Sequence, residues 1–290
     1  MQKHPVPDLS GKVCVITGAN TGIGEVAARE LVAAGAEVFL ACRSAERGKA
    51  AAERIAAATG KEAPALLPLD LGSFESVRAC ADLFLGMNKP LHMLINNAGL
   101  AGFQGQTTEG FEMAFGVNHL GHFLLTLLLE DKIVESAKDG DPARIVTVAS
   151  RAHRKATGID WAAAQQRTKT TSGYPEYCVS KLANILFSAK LAERLKDKNV
   201  LCYSLHPGVV ASDVWRRVPG PFRFIMKLFM ITNEEGAMTT LHCATSPECA
   251  TQTGLYYDKC APVKPNGLGT DMALAEELWK RSIEWTGLSS

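Results

Sequence analysis

The chain has 290 residues, of which 47% are hydrophobic and 21% charged, which predicts one large globular α/β domain rather than two ordinary ones. Its 31 basic and 30 acidic residues give a formal charge of +1 without any Lys/Arg run, so nothing indicates nucleic-acid binding. The eight cysteines form no Cys-x-x-Cys pair, so we expect reduced thiols in a cytoplasmic protein. No segment reaches the roughly 20 apolar residues of a membrane span, and the N-terminal MQKHPVPDLSGK has no apolar stretch, so we expect a protein that is neither secreted nor membrane-spanning.

Residues 12–30 predict a strand, a glycine-rich turn and a helix. Residues 13–16 form an apolar run too short for a helix, and a helix-period segment occupies residues 23–34. The turn between them contains Gly18, Gly22 and Gly24. Glycine allows a tight bend and close approach of backbone amides to a ligand, and the helix start offers unpaired N–H groups to a pyrophosphate. A plain strand-to-helix connection is the alternative, but the flanking elements favour dinucleotide binding.

Strand and helix patterns alternate from residue 12 to about residue 206. The further predicted strands are Glu37–Cys42, Ala65–Leu69, Leu91–Ile95, Ala143–Ala149 and Val200–Leu205, and the further helices are Ser44–Thr59, Ser73–Gly86, Thr108–Glu130 and Tyr174–Lys196, with Ser44 and Ser73 as N-caps. This alternation predicts a Rossmann-type, doubly wound parallel sheet with helices on both faces. We expect a single domain over 1–290, with its core at 12–206 and a substrate-lid segment, strand and helix in 207–290.

The end of the second strand indicates the cofactor. NAD-preferring sites place Asp or Glu about 20 residues past the glycines, where this chain reads Ala41-Cys42-Arg43-Ser44. The guanidinium of Arg43 suits a 2′-phosphate, so the sequence favours NADP(H) over NAD(H). Two observations weigh against this prediction: Arg43 could merely solvate a helix start, and Glu25 brings a negative charge close to the phosphates.

A serine, a tyrosine and a lysine form the candidate catalytic group. Tyr177 and Lys181 are four residues apart on a predicted helix, so both project from one face, and Ser150 ends a strand on the same side of the sheet. An unperturbed tyrosine pKa of about 10 is too high for acid–base work at neutral pH, and the Lys181 ammonium is expected to lower it. Alone, Tyr-x-x-x-Lys most often lies on a helix surface without a catalytic role. Here it accompanies a strand-end serine and a dinucleotide turn, and this combination makes the motif specific.

These motifs resemble those of the short-chain dehydrogenase/reductase family across nearly the whole chain. The shared motifs are TGANTGIG (Thr17–Gly24), NNAG (Asn96–Gly99), Asn118, Ser150, YCVSK (Tyr177–Lys181) and HPG (His206–Gly208). The segments ACRS at 41–44, YCVSKLAN at 177–184, HPGVV at 206–210 and EGAMTTLHCA at 235–244 look most like the retinol dehydrogenase group.

The resemblance implies a role for each matching residue. Ser150 would polarise the substrate carbonyl, Tyr177 would donate or accept the proton, Lys181 would bind the nicotinamide ribose, and Asn118 would hold a proton-relay water. The implied cofactor-binding residues are Gly18, Asn20, Thr21, Gly22, Ile23, Gly24, Arg43, Asp70, Leu71, Asn97, Ala98, Gly99, Tyr177, Lys181, Pro207, Gly208 and Val210.

The chain departs from the family pattern at a few positions. Where many relatives read Asn-x-Ser-Ser, this chain reads Thr147-Val148-Ala149-Ser150, so the serine role falls to Ser150. Glu25 stands where many NADP-using retinol enzymes carry a lysine, and Ser212 replaces a threonine. The N-terminal membrane anchor of many eukaryotic relatives is not expected here.

Two further patterns have ordinary explanations. His119 and His122 are three residues apart on an apolar helix, but no third ligand has suitable spacing, so we predict packing roles and no metal. The apolar helices that contain 115–129 and 182–195 either cover the sheet or, as in many family members, form a dimer interface, so a homo-oligomer remains one of two expectations.

The segment 219–231, PGPFRFIMKLFMI, contains eight large apolar residues, too many for a solvated loop. Three interpretations are open: packed core, a lid over a lipophilic substrate, or a surface anchor for peripheral membrane contact whose basic residues are Arg223 and Lys227. Because family members close over substrate between the Pro-Gly and the next helix, and flexible Met and Phe adapt to irregular ligands, the lid is preferred.

The sequence therefore predicts an NADP(H)-dependent oxidoreductase that interconverts a carbonyl and an alcohol on a small lipophilic substrate such as a retinoid or an aliphatic aldehyde. A protochlorophyllide-reductase-like enzyme shares the cofactor turn and the Tyr-x-x-x-Lys, and a non-catalytic NADP-sensing protein could keep the fold. A sensor has no need of Ser150, Tyr177 and Lys181 together.

Overall fold

The helices and strands follow the predicted alternation. The computed structural model describes residues 6–138, 141–208, 231–265 and 267–289. The strands in these residues are β1 (Val13–Thr17), β2 (Glu37–Cys42), β3 (Ala65–Pro68), β4 (Met93–Asn96), β5 (Ala143–Val148), β6 (Val200–His206), β7 (Leu255–Asp258) and β8 (Ala261–Pro262). The α-helices there are α1 (Gly22–Ala33), α2 (Ala45–Thr59), α3 (Phe74–Gly86), α4 (Met113–Phe115), α5 (Gly121–Ser136), α6 (Tyr174–Arg194), α7 (Asn233–Thr245) and α8 (Met272–Thr286), and a π-helical turn, Gly116–Leu120, joins α4 to α5.

The strands form one sheet in the order β3-β2-β1-β4-β5-β6-β7-β8. Strands β1 to β7 are parallel, whereas the two-residue β8 pairs antiparallel with β7. The predicted doubly wound parallel sheet is thus confirmed, with a short antiparallel edge that the sequence did not indicate. The chain order reverses between β1 and β4, and ligands bind in the crevice beyond the carboxyl ends of strands at such a point.

Both faces of the sheet are covered, because successive residues of a strand point to opposite sides. In β1, Val13 and Val15 pack in the core layer formed by α3, α5, α6 and α8. Cys14 and Ile16 pack in the opposite layer, formed by α1, α2 and α7. The apolar residues of α5 and α6 are buried largely within this single chain, so their composition does not by itself require a second copy.

Most predicted boundaries are correct within a few residues, and both predicted serine caps are present. The predicted helix start at Thr108 is wrong. Residues 107–111 form a turn in which the Thr107 N–H donates to the Phe111 carbonyl at 2.8 Å and Gly110 has φ 88°. Helix α4 begins only at Met113, where the Glu112 carboxylate accepts the Phe115 N–H at 2.8 Å.

Two expectations drawn from the composition concern membrane-spanning segments and the state of the cysteines. Within the described residues no helix combines the length and the apolar character needed to cross a bilayer. All eight cysteines lie there as free thiols, and Cys14 and Cys202 are buried in strands, as predicted.

Candidate active site

The turn between β1 and α1 forms one end of a cleft beyond the sheet. Gly18 and Gly22 adopt positive φ angles of 66° and 60°. A Cβ on Gly24 would lie 2.5 Å from Asn97 Nδ2, so a larger residue does not fit. The N-cap residue Thr21 makes no side-chain capping bond within the described structure, unlike the serine caps of α2 and α3. The first amides of α1 are therefore available to an anionic group, and the pyrophosphate of a dinucleotide fits this donor set.

The segment after β4 holds this turn in place. Thr17 Oγ1 accepts hydrogen bonds from the N–H groups of Asn97 and Ala98, both at 2.9 Å, and Asn97 Nδ2 donates to the Thr17 carbonyl at 2.8 Å. These amides, expected to lie beside the ribose, are thus engaged within the protein. A Cβ on Gly99 would lie 3.4 Å from Lys181 Nζ, so this segment also approaches the catalytic residues.

Two arginines line the cleft near the end of β2. Arg43 Nη1 lies 3.8 Å from Asp70 Oδ2, and its side chain is 69% exposed, which leaves the guanidinium accessible to a ligand. Arg47, one helical turn further on, lines the same region and was not predicted. Its i, i+4 spacing from Arg43 is the signal that would have found it.

Glu25 is paired on the first turn of α1. Arg54 of α2 binds its two carboxylate oxygens through Nε at 2.7 Å and Nη2 at 2.8 Å. The residues lining the cleft in the described structure do not include Glu25. The negative charge that weighed against NADP(H) is therefore neutralised by a bidentate ion pair.

Ser150, Tyr177 and Lys181 meet at the other end of the cleft. Ser150 and Tyr177 both line this part of the cleft, and the Ser150 side chain acts to lower the Tyr177 pKa. Lys181, one turn along α6, donates from Nζ to the Val148 carbonyl at 2.8 Å, and Nζ lies 5.8 Å from the centroid of the Tyr177 ring. A residue at the end of β5 and two on one face of α6 thus converge, as the spacing predicted.

Burial dominates the electrostatics of this group. It raises the pKa of Tyr177 to about 12, although the Ser150 side chain acts in the opposite direction. It lowers the pKa of Lys181 from 10.5 to about 7. The expected lowering of the Tyr177 pKa by Lys181 is therefore wrong in direction for this structure, because burial disfavours the charged form of both groups.

Asn118 lies in the π-helical turn, behind the cleft. Its Oδ1 accepts the Leu100 N–H at 2.9 Å, and its Nδ2 donates to the Leu100 carbonyl at 3.0 Å and to Ser180 Oγ at 2.9 Å. The side chain therefore ties the segment after β4 to α6.

The two candidate metal ligands have protein partners. His119 and His122 are 0% and 1% exposed. His119 Nε2 lies 3.0 Å from Ser282 Oγ, and His122 Nε2 lies 2.8 Å from Thr17 Oγ1. Nowhere in the described part of the chain do three His, Cys, Asp or Glu side chains cluster in a way that could hold a metal ion.

The residues after β6 are described only in part. Pro207 and Gly208 line the cleft. A Cβ on Gly208 would lie 2.2 Å from Cδ1 of Ile231, the last residue of the apolar segment. Val210 and residues 219–230 lie outside the described residues, so their predicted roles stay predictions.

Most predicted ligand-binding residues line a single cleft of about 580 Å³. They are Gly18, Asn20, Thr21, Gly22, Ile23, Gly24, Arg43, Asp70, Leu71, Asn97, Ala98, Gly99, Ser150, Tyr177, Lys181, Pro207 and Gly208. The cleft is also lined by Leu100, Phe103 and Met113, which were not predicted, since residues 100–113 carry no regular hydrophobic period.

Comparisons with known proteins agree with this geometry. A family model described as short chain dehydrogenase matches residues 12–220. Retinol dehydrogenase 11 of Mus musculus is 43% identical over 284 residues, which cover 97% of this chain and 88% of that protein.

Two solved structures extend the comparison. An uncharacterized protein from Mycobacterium paratuberculosis superposes with a TM-score of 0.77 at 31% identity, covering 98% of this chain and 96% of that one. The RhlG/NADP complex of Pseudomonas aeruginosa has a TM-score of 0.69 at 26% identity, covering 87% and 96%. With the fold, the cleft and the family match in agreement, this chain belongs to the short-chain dehydrogenase/reductase family and is an oxidoreductase enzyme of that family.

Proposed function

We propose that this enzyme uses NADP(H) to interconvert a carbonyl and an alcohol on a lipophilic substrate, a retinoid or an aliphatic aldehyde. The observation that carries the proposal is that Ser150, Tyr177 and Lys181 line one cleft together. This cleft begins at the uncapped start of α1. A serine and a buried tyrosine beside a buried lysine have an evident use in proton transfer and none in simple nucleotide binding.

In this proposal the side chains handle the oxygen atom and its proton. Ser150 donates a hydrogen bond to the substrate oxygen and polarises the carbonyl. Because its pKa is about 12, Tyr177 stays protonated at neutral pH and donates its proton to that oxygen during reduction. The nicotinamide supplies or accepts the hydride when bound. In the oxidation direction Tyr177 must accept the proton, so we expect that direction to accelerate as the pH rises.

Lys181 would bind the nicotinamide ribose. Its ammonium has three donors, and the Val148 carbonyl takes one of them at 2.8 Å. Burial lowers the pKa of this ammonium to about 7. The donors not used by Val148 can reach hydroxyl groups in the cleft.

Charge at the other end of the cleft supports NADP(H) over NAD(H). Arg43 and Arg47 line the wall that follows β2, where a 2′-phosphate would be bound by guanidinium groups. Glu25, the residue that weighs against this preference, is held by Arg54. The RhlG structure at 26% identity is a complex with NADP, which agrees with the preference.

Apolar side chains support a lipophilic substrate. Leu100, Phe103 and Met113 line the same cleft as the catalytic residues. Apolar lining with a few polar groups is typical of small-molecule sites. Retinol dehydrogenase 11 is among the relatives, which makes retinoids the first substrates to test.

A substrate screen with both cofactors tests the proposed function. The purified chain should reduce retinal or long aliphatic aldehydes with NADPH and do so less efficiently with NADH; steroids and quinones serve as alternative substrates. NADPH binding without turnover of any carbonyl would contradict the enzyme mechanism and favour a sensor. A preference for NADH would show that the cofactor assignment is wrong.

The lid role proposed for residues 219–231 has its own test. Replacing Phe222, Phe224 and Phe229 with serine should raise KM for retinoid or long-chain aldehydes far more than for a short aldehyde, because a large substrate would cover apolar surface. Equal effects on large and small substrates would indicate core packing. Unchanged kinetics with reduced liposome binding would indicate a surface anchor.

A further inference from the structure

A buried hydrogen-bonded chain connects the two ends of the cleft through a residue with no role in the mechanism above. His122 lies at the start of α5 and is 1% exposed. Its Nδ1 is 3.0 Å from the main-chain oxygen of Asn118 and its Nε2 is 2.8 Å from Thr17 Oγ1. Thr17 ends β1 at the glycine turn, and Asn118 lies in the π-helical turn behind the catalytic residues.

The donors in this chain follow from its partners. A carbonyl only accepts, so Nδ1 of His122 must carry the hydrogen that faces Asn118. Thr17 Oγ1 already accepts the N–H groups of Asn97 and Ala98, so its own hydrogen points to His122 Nε2 at 2.8 Å. The alternative acceptor, the Ile95 carbonyl, is 3.5 Å away.

The ring must be neutral for this arrangement. Burial lowers the pKa of His122 to about 4, so the ring carries a single hydrogen at neutral pH. With that hydrogen on Nδ1, Nε2 is an acceptor for Thr17. The tautomer is therefore determined by two independent bonds, one at each nitrogen.

We propose that His122, as its Nδ1–H tautomer, is a positioning residue that fixes the Asn118 carbonyl relative to Thr17, and so to the glycine turn and the segment after β4 that Thr17 holds together. The cofactor-binding and proton-transfer ends of the cleft then keep one relative geometry. The π-helical turn makes such a bond useful, because the Gly121 N–H bonds to the Gly116 carbonyl five residues back and so departs from α-helical spacing. The catalytic consequence rests on the proposed function, whereas the hydrogen-bonded chain itself does not.

His119 is a matched control on the same helical segment. It is as buried as His122, but Nε2 lies 3.0 Å from Ser282 Oγ of α8, and its ring packs near Phe115 and Phe123. Its loss would leave a hydroxyl of α8 unpaired and would not touch the cleft. Replacing each histidine with leucine thus removes similar polar groups from similar surroundings.

The first experiment reads the tautomer directly. In the enzyme labelled with ¹⁵N-histidine, NMR should identify His122 as the neutral Nδ1–H form, and its Nε2 resonance should shift in Thr17→Val, which removes the hydroxyl donor. An Nε2–H tautomer, or an Nε2 resonance unaffected by Thr17→Val, would overturn the proposal. This measurement needs neither cofactor nor turnover, so it stands even if the proposed function fails.

The second experiment separates positioning from stability. His122→Leu and His119→Leu should lower Tm by similar amounts, but only His122→Leu should weaken NADPH binding and reduce kcat, each by about tenfold, as expected for a lost buried hydrogen bond. Thr17→Val should be at least as damaging as His122→Leu, because it also removes the acceptor of the Asn97 and Ala98 N–H groups. The double variant should be no worse than Thr17→Val alone. Thr17→Ser, which keeps the hydroxyl, should recover most of what Thr17→Val loses.

The outcomes distinguish the two proposals. If the wild-type enzyme is active and His122→Leu matches His119→Leu in NADPH affinity and kcat, the positioning role is wrong. If His122→Leu fails to fold, the tautomer measurement and the response of the Nε2 resonance to Thr17→Val decide. If the wild type neither binds NADPH nor reduces carbonyls, the proposed function fails, and an Nδ1–H tautomer linked to Thr17 still supports the hydrogen-bonded chain.

Discussion

The two ends of the cleft are built in different ways. At the dinucleotide end, main-chain N–H groups at the start of α1 face outward without a side-chain cap, and Arg43 remains 69% exposed. At the catalytic end, Tyr177 and Lys181 are only 8% and 3% exposed, and Lys181 is bonded to a main-chain carbonyl.

The glycine turn at the dinucleotide end therefore depends on backbone shape, whereas the catalytic end depends on the charge states of buried side chains. The glycine turn depends on close backbone approach, which does not change with pH. The catalytic end depends on burial, which moves the pKa of Tyr177 up to about 12 and that of Lys181 down to about 7. Variants at the first end should therefore affect binding, and variants at the second should affect turnover and its pH dependence.

The largest expected effect is at the catalytic end. Tyr177→Phe should reduce kcat by about 100-fold or more, because it removes the proton donor, while NADPH affinity stays near the wild-type value. Tyr174→Phe is the matched control, since Tyr174 lies on the same helix with its ring 6.2 Å from that of Tyr177. Steady-state rates and NADPH titration provide the measurement, and wild-type turnover in Tyr177→Phe would refute the assignment.

The next largest effect should be at the dinucleotide end. In Gly24→Ala the new Cβ would meet Asn97 Nδ2 at 2.5 Å and the Gly18 carbonyl at 2.7 Å, so the turn must shift. We expect NADPH affinity to fall by about 100-fold, a loss set by the displaced amides. Gly86→Ala is the control, because nothing lies within 4 Å of a Cβ there. Equal NADPH affinity in the two variants would show that the turn tolerates a side chain.

Cofactor choice should respond more moderately. Arg43→Asp should lower kcat/KM for NADPH relative to NADH by about tenfold or more, because a carboxylate repels a 2′-phosphate and accepts a bond from a 2′-hydroxyl. Arg54→Ala tests the role assigned to Glu25, because it removes the ion-pair partner of that carboxylate and should also weaken NADPH binding. An unchanged ratio of the two kcat/KM values in Arg43→Asp would show that Arg43 does not bind the cofactor.

The smallest expected effect is a gain in stability. Lys181→Met should abolish activity yet raise the free energy of unfolding by about 1–2 kcal/mol at pH 7, because a buried ammonium is replaced by an apolar side chain. The pKa of Lys181 falls to about 7 in the folded state, so between pH 7 and 10.5 the unfolded chain binds more protons and wild-type stability rises with pH. The gain should therefore be largest at pH 7 and below, and should disappear toward pH 10.5.

Chemical denaturation of both proteins across this pH range is the measurement. Lys190→Met is the control on the same helix, because Lys190 pairs with Glu193 and Glu276 and its pKa is raised. Its replacement should slightly lower stability. A loss of stability in Lys181→Met at pH 7 would show that the Val148 hydrogen bond outweighs the cost of burial.

Local patterns were sufficient for most of the fold. The apolar run Val13–Ile16 became β1, and Ser44 and Ser73 cap α2 and α3 as predicted. These features depend on residues close in sequence. The start of α4 could not be predicted in this way, because the turn closed by Gly110 and the bond of Glu112 to Thr168 depend on loop geometry and on a residue 56 positions away.

The sequence by itself determined the residue types that carry the chemistry: the glycine turn, Arg43, Ser150 and the Tyr177–Lys181 pair, whose spacing alone placed them on one helical face. Only the tertiary structure determined the pKa shifts of these side chains and their hydrogen-bond and ion-pair partners on other elements. Burial raised the pKa of Tyr177 although Lys181 stands one turn away, and Arg54 neutralised Glu25 from another helix. Solvent exclusion and contacts such as that between His122 and Thr17, which are 105 positions apart, arise from long-range packing that no local pattern contains.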